Sequence, residues 1–333
     1  MFKVGIVGCG GVGSMHASCY EALEGVKLAA VASTDEQQLK EIGEKYKIKT
    51  YFSAKELIFD PELDIIDICL PTFLHTEYAI MAMEAGKNVF IEKPVCLTPE
   101  EADKLLDAQK RTGAKVQVGH AVRFWDEYVW LKNAVENKTY GNLISVNFTR
   151  LSPLPAWSWN DWFNDHTKSG SMALDMHIHD TDFIRYMMNA EPDSFKTFVT
   201  RTKAGVIDYI STSYNFGDVL ISAEACWAMP GNFPFKCAFT ARFEDATAVF
   251  DTDTLTVYKF DGSTEHPEMK NNLGSSADTG INVSNLGPYY NELKYFIDKL
   301  SANEPIEVAS LEEAAASLKL VLNEIQSVGG VKI

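Results

Sequence analysis

Lys3-Val4-Gly5-Ile6-Val7 reads as a short buried strand, and it runs straight into Gly8-Cys9-Gly10-Gly11-Val12-Gly13. A helical pattern follows from Ser14. Strand, G-x-G-x-x-G turn and helix in that order give these glycines a mechanical meaning. Gly8 permits the tight turn, Gly10 lets a pyrophosphate approach the backbone, and Gly13 lets the helix pack close to the strand. Gly11 and Val12 complete a loop in which helix N–H groups and a partial positive charge face the phosphates of a dinucleotide.

Outward from this turn, the first third of the chain alternates strands and helices. Val26 to Ser33, Ile65 to Leu70, Asn88 to Ile91 and Val116 to Gly119 read as strands. His75 to Ala85 has helical spacing and stops at Gly86. Thr98-Pro99-Glu100-Glu101 opens another helix with a capping box and proline at its first position. This alternation predicts a parallel, doubly wound sheet. After about Gly119 the pattern changes. Helices are expected over Trp125–Glu136 and about Met172–Met188. Strand-like segments dominate from Leu143–Arg150 and Phe195–Arg201 through Leu255–Phe260, joined by short links such as Gly217-Asp218. The expectation is an α/β protein, with a dinucleotide domain over 1–121 and an α+β domain over 122–333 built on a large, mostly antiparallel open sheet. Two helices close the chain after a polar loop over Lys270–Pro288.

The 333 residues carry a formal charge of -16, which argues against nucleic acid or an anionic membrane as partner. No run is apolar and long enough for a membrane span. Met1 leads directly into the first strand, so no signal peptide is expected. Six scattered cysteines without C-x-x-C spacing suit a reduced, cytoplasmic protein.

Ser33 lies twenty positions past Gly13, where an NAD site usually places an acid. Ser33 and Thr34 would not repel a 2′-phosphate, yet no Arg or Lys stands beside them to pair with one. Asp35 might bend back to the ribose. Both NAD and NADP stay open as cofactor.

Several motifs occur together and in order: Gly8-x-Gly10-x-x-Gly13, Pro71-Thr72-x-x-His75, Gly86-Lys87-Asn88-Val89, Glu92-Lys93-Pro94 and Asp175-x-x-x-His179-Asp180. Together they resemble the glucose–fructose oxidoreductase / inositol 2-dehydrogenase / rhizopine-catabolism (Gfo/Idh/MocA) family over essentially the whole chain. The resemblance implies a Rossmann domain followed by a substrate and oligomerisation domain. It also implies hydride transfer between a nicotinamide and a secondary alcohol of a sugar, polyol or derivative, by a catalytic trio of Lys93, Asp175 and His179. A lysine beyond a parallel strand's carboxyl end can hydrogen-bond a hydroxyl there. Asp175, His179 and Asp182, at i, i+4 and i+7, are expected on one helix face. Imidazole titrates near neutrality, which suits His179 as the base.

Around this trio, Pro71, Thr72, His75 and Glu92 are expected near the cofactor, with Thr72 capping the helix that starts there. His120, Arg123 and Trp162 are candidate substrate contacts. Arg123 could equally form an interdomain salt bridge. The Trp157, Trp159, Trp162 and Phe163 cluster could stack on a sugar ring or anchor a loop. His177 stands where many relatives look to carry glycine, and it reads as a pocket-edge or packing residue. No metal is expected, because His177, His179 and Asp180 diverge around a helix. A homodimer or homotetramer through the C-terminal sheet is expected, on the argument that two apolar faces need cover. Two rival readings remain open: a glycosidase using retained NAD for transient oxidation, and a nicotinamide-sensing regulator without turnover.

Overall fold

The computed structural model describes residues 1–155, 159–269 and 286–330. The chain starts β1 (Phe2–Val7), α1 (Gly11–Ala22), β2 (Val26–Ala32), α2 (Glu36–Tyr46), β3 (Lys49–Tyr51), α3 (Ala54–Ile58), β4 (Ile65–Ile68), α4 (His75–Glu84), β5 (Asn88–Glu92), α5 (Pro99–Thr112) and β6 (Val116–Gly119). It continues with α6 (Asp126–Glu136), β7 (Leu143–Leu151), α7 (His166–Ser169), α8 (Ser171–Asp175) and α9 (Ile178–Met188). Seven strands follow: β8 (Ser194–Arg201), β9 (Ile207–Phe216), β10 (Val219–Cys226), β11 (Lys236–Phe243), β12 (Ala246–Asp251), β13 (Thr254–Lys259) and β14 (Thr264–Glu265). Helices α10 (Gly287–Ser301) and α11 (Leu311–Ser327) end the chain. Most of the loop expected over Lys270–Pro288 lies outside the described residues, and Gly287 and Pro288 already belong to α10.

Two compact units emerge. One comprises residues 1–124 and the described part of 272–316, and the other comprises 125–271 and 317–333 as far as described. The chain returns to its first unit after the second. The sequence division at 121/122 does not capture that return.

The first unit is a six-stranded sheet in the order β3-β2-β1-β4-β5-β6, parallel throughout. Winding reverses between β1 and β4, so the loops after β1, β4 and β5 share the carboxyl edge where such sheets bind ligands. Its strands are apolar runs because helices cover both faces. At the centre of the sheet Asp67, in Ile65-Ile66-Asp67-Ile68, is a carboxylate among isoleucines, and it is fully buried. Its partner is His16 of α1, whose Nδ1 lies 2.8 Å from Asp67 Oδ2. The other ring nitrogen lies 3.2 Å from Glu92 Oε1 at the end of β5. Glu292 of α10, also fully buried, adds a third carboxyl.

Burial alone would strip the proton from His16. Cys69 and Asp67, with their hydrogen bonds, outweigh it and hold the imidazole well above its ordinary range. Burial first, and then the Glu92 charge, push Glu292 well above the usual carboxyl range. An imidazolium thus ties α1 to β4 and β5, while Glu292 keeps its proton.

The second unit is an eight-stranded sheet in the order β14-β13-β12-β11-β7-β10-β9-β8, antiparallel except for the β7–β10 pair. On its inner face Tyr128 of α6 packs among Phe148, Phe183, Phe239 and Phe250. Arg150 of β7 crosses this apolar layer to grip Asp180 of α9 through Nε (2.9 Å) and Nη2 (2.8 Å). The second apolar face expected of this sheet is not found. Ile221, Ala223 and Ala225 point inward, but their neighbours form a polar ladder in which Asn147 bonds Ser222 and Thr149 bonds Glu224. All six cysteines are free, and no helix among the described residues is long and apolar enough to cross a membrane.

Two buried acid–base groups of the first unit, Glu292 and His16, predict the same pH trend, which buried His75, with its lowered pKa, opposes only below its ordinary 6.5. Glu292 binds a proton when folded that it releases above an ordinary value of 4.5 when unfolded. His16 holds one above its ordinary 6.5. Stability contributed by each is fully present below the unfolded value and lost as pH rises through the folded value, by about 1.4 kcal/mol per pH unit for each proton held. Urea unfolding should therefore show stability declining from pH 7 to pH 9, and Glu292→Gln should flatten that slope. Stability that rises over this range would contradict the assignment.

Candidate active site

The glycine turn is built from close contacts. Gly8 has φ +101°, and a Cβ there would lie 2.4 Å from the Cys69 carbonyl oxygen, so the loop after β1 rests on the loop after β4. A Cβ on Gly13 would lie 1.9 Å from the Gly8 carbonyl oxygen. Around Gly10 the reverse holds: a Cβ would meet nothing within 4 Å. Gly10 is exposed at the N-terminus of α1, which has no side-chain cap and no acid in its first turn. Donors without a capping side chain, an open approach and no carboxylate in the helix's own first turn fit a bound diphosphate.

His75 fixes the neighbouring loops. Its Nδ1 lies 2.8 Å from the Pro94 carbonyl oxygen and its Nε2 lies 2.7 Å from that of Leu70. Burial lowers the pKa, and the neutral ring has one N–H, so it donates to one of these carbonyls while its other nitrogen lies against the second. His75 is therefore a staple between the loops after β4 and β5. Thr72 is buried in a short 3-10 turn over Thr72–Leu74 that follows Pro71, and it does not cap α4, whose N-cap is Leu74. Glu92 accepts the Lys93 N–H through Oε2 at 3.1 Å while Oε1 faces His16. Among residues 89–96 only Lys93 keeps part of its surface exposed.

At the end of β2, Ser33 donates to Gln38 Oε1 at 3.3 Å and accepts from the Asp35 N–H at 3.1 Å. Thr34 beside it is exposed. Asp35 does not swing freely towards a ribose, because its Oδ1 caps α2 by accepting from the N–H groups of Gln37 and Gln38. From that fixed place its charge reaches the glycine loop. Burial, and then Asp35, push the Cys9 thiol up to about 12.

The second unit holds Asp175 and His179, but not on one continuous helix. The helix expected over Met172–Met188 breaks at Met176–His177, so Asp175 ends α8 and His179 stands in the first turn of α9. Across residues 171–185 only these two retain partial exposure. The third member of the expected face, Asp182, is fully buried and accepts from Ser317 Oγ at 2.7 Å. His177 is a packing residue, fully buried with Nε2 2.8 Å from Glu324. Asp180 is spent on Arg150. Among the described residues, the His, Cys, Asp and Glu atoms that converge within 4.8 Å all centre on His16, and neither His177, His179 nor Asp180 is among them.

The remaining candidates sit as follows. Arg123 is buried and its Nη2 lies 3.4 Å from Glu313, a residue of the same unit, so that pair is not an interdomain bridge. His120 is buried beside it in sequence. Trp162 stacks on Phe163 at 4.1 Å, and Phe163 meets Trp227 edge-on at 5.6 Å, which anchors this loop. Trp159 is half-exposed and Trp157 lies outside the described residues. Sequence reasoning missed His16, Glu292 and Arg150. The charge of Asp67 inside an isoleucine run was the available signal, since a buried carboxylate needs a partner.

Residues 2–120 match the model of an oxidoreductase family with an NAD-binding Rossmann fold, and residues 128–250 match the C-terminal domain model of the same family. The chain belongs to the Gfo/Idh/MocA family. It is 34% identical to a myo-inositol 2-dehydrogenase of Thermotoga maritima over 191 residues, 57% of this chain and 55% of that relative, and so spans about half its length. An inositol 2-dehydrogenase/D-chiro-inositol 3-dehydrogenase of Halalkalibacterium halodurans is 26% identical over 314 residues, 91% of this chain and 84% of its own. The crystal structure of a probable dehydrogenase from Thermotoga maritima superposes with a TM-score of 0.81 at 25% identity, covering 98% of this chain and 97% of that one. The first unit of this Gfo/Idh/MocA chain is thus an NAD-binding Rossmann domain.

Two glycine variants separate packing from binding. Gly13→Ala should destabilise the fold by about 1–3 kcal/mol, as overpacking does. Gly10→Ala should change unfolding by less than about 1 kcal/mol, the scale of an N-cap exchange, and weaken NADH binding about tenfold or more, a loss of about 1.4 kcal/mol. NADH fluorescence titration reads this, and undiminished affinity in Gly10→Ala would place the diphosphate elsewhere.

Proposed function

We propose that this protein is an NAD-dependent dehydrogenase that oxidises a secondary alcohol of a polyol or sugar to a ketone. The observation that carries this reading is the pattern of exposure. In otherwise buried segments, Lys93 in the first unit and Asp175 and His179 in the second keep part of their surface exposed. The names of the two inositol dehydrogenase relatives support a polyhydroxylated substrate. Free thiols and the absence of an apolar spanning helix among the described residues suit a reducing, cytoplasmic setting.

When bound, the nicotinamide supplies the hydride acceptor. His179 takes the hydroxyl proton, for which an imidazole is suited. Lys93 donates a hydrogen bond to the same hydroxyl and favours its alkoxide character, held in place by the bond between its N–H and Glu92. Asp175 orients the substrate. His75 and Glu92 are positioning residues in this scheme. Of the three expected substrate contacts, Trp162 keeps part of its surface and is retained as an outer contact for the substrate's remaining hydroxyls, whereas Arg123 and His120 are buried and are left out. The outer sheet face, where Phe198 and Leu220 are exposed among polar residues, is retained as the surface for a homodimer or homotetramer.

The cofactor preferred is NAD. A 2′-phosphate near Ser33 would face the fixed Asp35 carboxylate, and like charges repel.

Lys93→Ala and His179→Ala should each lower kcat about 10²–10⁴-fold, the usual scale of acid–base groups, with NADH affinity kept. A panel of inositols, aldoses and sugar acids, read by NADH formation, supplies the substrate. Near-normal turnover in both variants on that substrate would end this assignment, and aglycone release without net reduction of NAD would favour the glycosidase.

Asp35→Ser, which keeps a capping hydroxyl and removes the charge, should narrow an NAD over NADP preference of about tenfold, or about 1.4 kcal/mol. Paired titrations with both cofactors measure it. An unchanged ratio would remove Asp35 from the discrimination.

A further inference from the structure

The break between α8 and α9 decides where Asp175 and His179 stand, and one residue inside it is anchored. His177 is fully buried, and its Nε2–H donates to Glu324 Oε2 at 2.8 Å. Glu324 comes from α11 and is fully buried too. Its carboxylate collects two further donors from β9: the Tyr214 hydroxyl to Oε1 at 2.9 Å and the Thr212 hydroxyl to Oε2 at 2.9 Å. The Tyr214 oxygen in turn lies 2.9 Å from the Thr181 hydroxyl, one turn further along α9. Burial and the Glu324 charge push Tyr214 well above its ordinary range, so its proton stays in place to donate.

A buried carboxylate is tolerable only when its oxygens are satisfied, and here the donors come from three directions. Two of the contacts, His177 and Thr181, flank His179 in sequence. The bend therefore sits on a fixed post.

We propose that His177, Glu324 and Tyr214 form a buried clamp that sets the bend between α8 and α9 and thereby positions Asp175 and His179. Its functional half rests on the reading that those two residues act on substrate. Its structural half does not. The three are positioning residues, since none keeps surface to meet a ligand.

Amide hydrogen exchange tests the structural half on the full chain without any substrate. In His177→Leu, peptides over residues 171–182 should exchange at least about tenfold faster, as local opening predicts, while β10–β13 stay protected. His177→Gln returns an N–H donor and should restore most of the protection. Tyr214→Phe removes a single donor, leaves the ring packing intact and should loosen the same segment less. It also serves if His177→Leu does not fold. Unchanged exchange in 171–182, or a rise spread over the whole unit, overturns the clamp.

Turnover of myo-inositol with NAD, or of the polyol the unaltered chain oxidises fastest, tests the functional half. His177→Leu should lower kcat by about 10²-fold, the scale of an ångström's misplacement, with NADH affinity unchanged and activity regained in His177→Gln. Loosened exchange without a fall in kcat removes the positioning role. If His179→Ala keeps full turnover while exchange still loosens, the clamp stands and the catalytic reading falls.

Discussion

The first unit depends on one buried charge. Asp67 sits in the middle of the sheet, and its strand could not stay there without a cation. His16 supplies it: Nδ1 bonds Asp67 and Nε2 lies 3.2 Å from Glu92, so one imidazolium charge stands between two strands. The consequence reaches the surface. With His16 held between Asp67 and Glu92, the helix that starts at the glycine turn is locked to β4 and β5. The Glu92 oxygen not facing His16 is then available to the Lys93 N–H. One buried imidazolium thus stands between the helix of the glycine turn and the strand end that precedes Lys93. Replacing such a group by an apolar one could preserve packing, but removing one partner alone leaves a buried charge uncompensated, which is strongly destabilising.

Much of the architecture was legible because local signals agreed with one another. The glycine turn, the Thr98–Glu101 capping box and the alternating apolar strands each specify their own element without distant help, and each appears where expected. The short elements α2, β3 and α3 were passed over, as their apolar content is low and their stability comes from packing on β2. The sequence pattern runs unbroken across 172–188, whereas the chain forms two helices there. Nothing in its composition marks a break at Met176–His177, since no proline or glycine stands there. The bend is imposed by a carboxylate more than a hundred residues away, which no local rule can see.

The site followed the same division. Positions fixed by backbone grammar, Gly8 to Gly13 and Lys93 after β5, were readable because strand ends and turns leave marks in sequence. Side-chain roles were less readable. His75, Thr72 and Asp35 lie where a cofactor contact was expected, yet each is already bonded or packed into the protein that surrounds it. Arg123 has the charge of a substrate contact and the burial of a core residue. Residue type and spacing say what a side chain is able to do. Its hydrogen bonds say whether that capacity has been used.

That distinction orders the histidines and acids of this chain. His16, His177 and Asp180 are each fixed by an oppositely disposed partner in the interior, and each stands beside or beneath a residue that keeps some surface. Support of this kind must be buried to be stiff, because a bond exposed to water exchanges readily and holds little. Chemistry must be exposed to meet its ligand. A chain that needs both therefore places them next to each other: Glu92 before Lys93, and His177 and Asp180 around His179. The acid–base residues of the interior are the reason the few at the surface have a defined position, and the two sets are told apart by burial, since by residue type they are the same.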